Sequence, residues 1–62
     1  MKLKEYIVKN GINQQWLAQQ LGITYQALYV KLKGDGNFSI KQALLVKKLL
    51  RLTEQEFENI FG

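Results

Sequence analysis

Apolar residues recur at the 3.6-residue period of a helix in five separate stretches, and residues with capping or turn chemistry stand between them. Leu3, Tyr6 and Ile7 fall at i, i+3 and i+4 with Lys2, Lys4 and Lys9 on the wet side, which predicts a first helix closed by Asn10-Gly11. Asn13 caps a second helix in which Leu17, Ala18 and Leu21 share one face, while Gln14, Gln15, Gln19 and Gln20 point elsewhere. Gly22 stands just past it, where the backbone must turn left-handed and a side chain is penalised. Thr24 caps a third helix with Leu28 and Leu32 at i and i+4. Ser39 and Gln42 form a capping box that opens a fourth, with Ala43, Val46 and Leu50 as its inward stripe. Thr53 and Glu56 repeat that box before Phe57, Ile60 and Phe61. No strand pattern is evident. The pattern therefore predicts an all-α, five-helix fold in a single domain spanning 1–62.

Two features are not absorbed by this pattern. Leu44, Leu45 and Leu49 lie outside the fourth helix's stripe and are expected to contact something else, because a helix of so small a domain rarely buries apolar residues around most of its circumference. With Phe57, Ile60 and Phe61 they are the candidates for a dimer interface, although Phe57 or Ile60 can instead fold back to complete the core. The second is the loop Gly34-Asp35-Gly36-Asn37, whose glycines give the backbone freedom either to approach a phosphate or merely to reverse the chain. Phe38 is expected to plug the core beneath it.

The stretch from Gln14 to Lys33 is two short helical patterns joined at Leu21-Gly22-Ile23, with the small Ala18 where the helices come closest. The joint spacing of Gln14, Ala18, Gly22, Ile23, Leu28 and Gly34 resembles the DNA-binding helix-turn-helix of phage Cro and repressor proteins and their bacterial (XRE-like) relatives, and looks most like the small Cro-like members. The resemblance extends through Phe38-Ser39-Ile40 into the fourth helix and so covers nearly the whole chain. It implies a compact repressor-like domain. Lys31 departs from the family, occupying a place that is often apolar, with Leu32 beside it taking over the packing.

What the resemblance implies is recognition without bond making. A recognition helix over about 25–33 lies in the major groove, and the preceding helix crosses the backbone. The base-facing set becomes Thr24, Tyr25, Gln26, Tyr29 and Val30. Gln26 leads it, because its amide can donate and accept in the pair of bonds that adenine N6 and N7 require. Tyr25 is the better tyrosine candidate, since Tyr29, one turn on, can equally pack over the domain's surface. Gln14 and Gln15, at the first turn of the second helix, are assigned to phosphate, together with Lys31, Lys33 and Lys41. Trp16 is left partly exposed, either packing on the first helix or donating to a phosphate.

Charge sharpens the picture. Residues 1–52 carry nine Lys/Arg against Glu5 and Asp35, a net +7, while the last ten residues carry only Glu54, Glu56 and Glu58, a net −3. A basic body suits a polyanion such as a double-stranded DNA operator. The acidic cluster is explained by the dipole at its helix N-terminus. Cys and His are absent, so no disulfide or cysteine-zinc site can staple the fold, and scattered carboxylates without a pocket argue against an enzyme. No cofactor or metal is expected. No apolar run approaches the ~20 residues of a membrane span, and no signal-peptide pattern is present. A cytoplasmic location, in a bacterial cell or phage-infected host, is the expectation. The function expected is a transcriptional regulator, binding as a homodimer to a two-fold site. The competing reading is a helix-turn-helix protein-interaction module, an antirepressor or co-repressor that binds another transcription regulator; the excess of apolar residues between Ala43 and Leu52 supports it.

Overall fold

Three of the connections between helices can be traced to the few residues that make them. The computed structural model describes residues 2–34 and 38–62, in the order α1 (Lys2–Lys9), α2 (Gln14–Leu21), α3 (Tyr25–Lys33), α4 (Ile40–Leu50) and α5 (Glu54–Phe61). The protein is all-α, and no strand occurs among the described residues. Asp35, Gly36 and Asn37, the centre of the loop expected to approach a phosphate or reverse the chain, lie outside the described residues.

The four N-caps are those the sequence predicts. Asn13, Thr24, Ser39 and Thr53 all hold extended backbone, and their side-chain oxygens accept from the N–H groups of Trp16, Ala27, Gln42 and Glu56. Gln42 and Glu56 reach back to the N–H groups of Ser39 and Thr53, closing both capping boxes. Each cap satisfies a donor that the first helical turn leaves without a carbonyl partner.

Three of the connections obey one local rule: Gly11-Ile12-Asn13, Gly22-Ile23-Thr24 and Arg51-Leu52-Thr53. The first residue turns left-handed, with φ of 63°, 71° and 54°. The second donates its N–H to a carbonyl five residues back, Ile12 to Ile7, Ile23 to Ala18 and Leu52 to Lys47, each at 3.0 Å. That is the Schellman closure of a helix end, in which an apolar residue after the turn lies back on the helix it has just left. Ile12 and Ile23 pack against the core and Leu52 is buried within it. The third residue then caps the next helix. Arg51 occupies the left-handed position without glycine's freedom, a helix end not foreseen from the sequence.

The core is aliphatic: Leu3 and Ile7 from α1, Leu17, Ala18 and Leu21 from α2, Leu28 and Leu32 from α3, and Val46 from α4. Helix α2 packs on α3 and α4, and α1 packs on α3 and α5. Leu45 and Leu49 are not left over; both are half-buried against the core, as is Leu50, so of the three supposed surplus leucines only Leu44 is exposed. The reason is placement. Helix α4 has α2 on one side and the aromatic side chains around Phe57 on another, so more than one stripe finds cover. Phe38 packs against the core as expected, edge-on to Phe61 at 5.7 Å between ring centroids, and Phe61 lies 5.1 Å from Phe57. Phe57, Ile60 and Phe61 all pack against the core, yet α5 has no fully buried residue.

Candidate nucleic-acid interface

The roll of α3 is fixed by Leu28 and Leu32, both buried in the core. Gln26 and Val30, roughly half a turn away, must then face outward, with Tyr25 and Tyr29 on the flank between them and the core side, and all four are exposed. Thr24 is exposed beside them. Its oxygen accepts from the Ala27 N–H at 3.0 Å, a bond that leaves the hydroxyl proton available to an acceptor outside the protein. The five candidate base-facing residues therefore form one continuous surface over the N-terminal two turns of α3.

Lys31 is half-buried, with its ammonium 5.6 Å from the centroid of the Phe38 ring. Its stem covers apolar surface where an apolar side chain would otherwise sit, and the charge stays at the edge. Leu32 is the residue that enters the core. Lys33 and Lys41 are exposed, on the last turn of α3 and the first turn of α4. On α2, Gln15 is exposed and Gln14 half-buried, and the Trp16 indole remains partly exposed. The Trp16 backbone N–H donates to the Asn13 side chain, whereas the first-turn N–H groups of Gln14 and Gln15 have no carbonyl within the helix to reach.

One residue joins this surface that sequence reasoning did not assign to it. Helix α1 packs on α3, and the Lys4 ammonium stands 6.0 Å from the Tyr29 ring centroid, at the outer reach of a cation–π contact. Lys4 carried only the signal of a lysine on a wet helix face, and nothing local ties it to a position 25 residues away. Between Glu5 and Asp35 there is no carboxylate, so α2, its turn and α3 carry only positive side-chain charge, on Lys31 and Lys33. On α5, Glu54 forms an ion pair with Lys47, whose ammonium is also 5.4 Å from the Phe57 ring centroid.

The candidate interface residues for a partner copy are distributed unevenly. Leu44 is exposed, while Leu45, Leu49, Phe57, Ile60 and Phe61 are half-buried. Ile40, which was not among them, is exposed and stands one turn before Leu44 on the same face of α4. The i, i+4 spacing of Ile40 and Leu44 was the signal that could have found it. Both border an open apolar groove of about 350 Å³ lined also by Phe38, Ala43, Phe57 and Phe61.

Among the described residues no three His, Cys, Asp or Glu side chains gather as metal ligands, and no helix is long and apolar enough to cross a membrane. Comparison with protein-family models, curated proteins and solved structures gave no match.

Proposed function

We propose that this chain is a sequence-specific double-stranded DNA-binding regulator of the Cro and repressor type, which inserts α3 into the major groove. The observation that carries the reading is the outward face of α3: Thr24, Tyr25, Gln26, Tyr29 and Val30 side by side on a helix rolled by Leu28 and Leu32, in a segment free of carboxylates. A helix of ~10–12 Å diameter fills a major groove ~12 Å wide, and it is the first turns of that helix that meet base edges. Gln26 supplies an amide able to pair with adenine, and Tyr25 and Thr24 supply hydroxyls for a base edge or a phosphate. Val30 offers apolar contact to a thymine methyl. Gln14, Gln15 and the lysines at the rim hold phosphates and so set register, without carrying sequence information. No arginine is present on α3, so bidentate reading of guanine is not part of the mechanism. Regulation then follows from occupancy: no catalytic step is involved, and a protein seated across a promoter blocks polymerase, whereas one seated beside a promoter can recruit it.

The test is selection of bound duplexes from a random pool, followed by titration of the winner and a scrambled control at two salt concentrations. An A·T-containing site bound at least ~10³-fold more tightly than the control is the expected result. A pool that yields no enriched site, with weak binding that disappears as salt rises, overturns the reading.

A further inference from the structure

The groove between α4 and α5 has a chemistry more particular than an apolar seam. Phe38, Phe57 and Phe61 line it together with Ile40 and Leu44, and its volume of about 350 Å³ lies in the range of small-molecule sites. The three rings are not stacked flat. Phe38 meets Phe61 at 89° and Phe57 meets Phe61 at 41°, so they offer π faces in more than one plane. The face of a ring carries the negative part of its quadrupole and attracts a cation within ~6 Å of the centroid. Two of these rings already show that attraction, the Lys31 ammonium lying 5.6 Å from the Phe38 centroid and the Lys47 ammonium 5.4 Å from that of Phe57. Neither lysine lines the groove.

We infer that the groove binds a small ligand carrying an alkylated ammonium on an apolar body, the cation among the three phenylalanine rings beside Glu58 and the body against Ile40 and Leu44. Charge decides the class of ligand. Glu58 is the single charged side chain lining the groove among the described residues, and its exposed carboxylate has no ion-pair or hydrogen-bond partner among them. An anionic ligand would face that carboxylate with no lining cation to answer it. The rings decide the kind of cation. A primary ammonium is strongly hydrated and has three N–H groups to satisfy, for which phenyl rings hold no acceptor; Lys47 meets the need by its ion pair with Glu54. N-methyl groups leave no N–H unsatisfied and pack against the rings directly. Ile40 is 81% and Leu44 53% exposed, so an apolar body finds surface to cover next to the rings.

None of the five candidate base-facing residues lines the groove, so the inference stands apart from the DNA reading and is tested without nucleic acid. The full chain is titrated, by proton magnetic resonance, with three probes of one shape: 3-hydroxyphenyltrimethylammonium, its uncharged isostere 3-tert-butylphenol, and 3-hydroxybenzenesulfonate. The cation is expected to bind ~3- to 30-fold more tightly than the isostere, the worth of one cation–π contact and one exposed ion pair, and the sulfonate more weakly than either. Its N-methyl protons should move upfield on binding, since ring currents act on whatever lies over the ring faces. Glu58→Gln should narrow the gap between cation and isostere. Leu44→Lys, at an exposed position, should weaken the cation alone and leave the far-ultraviolet spectrum unchanged. No binding of the cation in the millimolar range overturns the inference, and so does an isostere that binds as well, which makes the groove a plain apolar surface. A cation preference indifferent to both variants places the ligand elsewhere and overturns it too. So does an affinity that falls as protein concentration rises, which gives the groove to a second copy of the chain.

Discussion

A side-chain amide can give one hydrogen bond and take another in a single plane, which is the pair adenine offers at N6 and N7, and Gln26 holds such an amide outward from α3. Gln26→Ala is expected to reduce discrimination at one base position by ~1–3 kcal/mol, roughly five- to 150-fold, with general affinity for duplex largely kept. Repeating the duplex selection with the variant checks this; an unaltered preference at every position removes Gln26 from the readout. On the proposed DNA-binding reading Tyr29 takes a different part, set by Lys4 beside its ring. A ring that holds an ammonium near the groove acts through its face, so Tyr29→Phe should bind as the parent does. Lys4→Ala should lower the slope of log affinity against log salt by about one, the signature of one lost phosphate contact. Tyr29→Ala should lose part of the same increment, and the double variant should lose less than the two changes added. A shifted base preference in Tyr29→Phe would return the phenol to base reading, and an unchanged slope in Lys4→Ala would assign Lys4 to solvent. The face of α3 was legible in the sequence, because the spacing of Leu28 and Leu32 fixes which residues point out. Lys4 was not, since its place beside Tyr29 depends on how α1 packs on α3.

Helix ends carry much of the specification of this fold, and Arg51 and Gly22 set opposite sides of one test. Both stand at the left-handed position of a Schellman closure, with φ of 54° and 71°. A side chain there costs about 1 kcal/mol, somewhat offset by the greater freedom of glycine in the unfolded chain. At Gly22 nothing lies within 4 Å of a Cβ, so Gly22→Ala pays conformational strain alone. Gly22→Ala should therefore lower the midpoint of thermal unfolding, and Arg51→Gly should raise it, by ~4–8 °C for each kcal/mol in a domain this small. Circular dichroism during heating measures both. An unchanged or lower midpoint for Arg51→Gly would mean that left-handed backbone is not what strains the end of α4. The caps and both glycine turns were legible because their chemistry is local, a hydroxyl or amide three residues from the donor it satisfies. An arginine forced left-handed has no such signature of its own; only the recurrence of turn, apolar residue and cap, in Gly11-Ile12-Asn13 and Gly22-Ile23-Thr24, betrays it. Periodicity also misjudged Leu45 and Leu49, because it ranks the stripes of one helix without saying how many sides of that helix are covered.

A 62-residue chain without cysteine has about 3–9 kcal/mol of stability to lose, at ~0.05–0.15 kcal/mol per residue, and the six side chains most completely buried are all Leu, Ile or Val. No staple backs them up, so core and recognition surface can be separated by experiment. Leu28 lies on α3 two positions from Gln26, yet it is fully buried, while Gln26 is exposed. Leu28→Ala should cost ~2–5 kcal/mol, a large share of the total, and lower the urea midpoint with little change in slope. Its DNA binding should fall only as the folded fraction falls, and should return on cooling to a temperature where the variant is folded. Gln26→Ala should leave the urea midpoint where it was. Leu45→Glu belongs with Leu28→Ala, since Leu45 packs against the core and a carboxylate there loses part of its hydration; Leu44→Glu is the substitution that reports on the surface. If Leu28→Ala instead kept its stability and lost binding while folded, α3 would be rolled the other way. Leu28 would then face the DNA, and Gln26 could not be the residue that reads it.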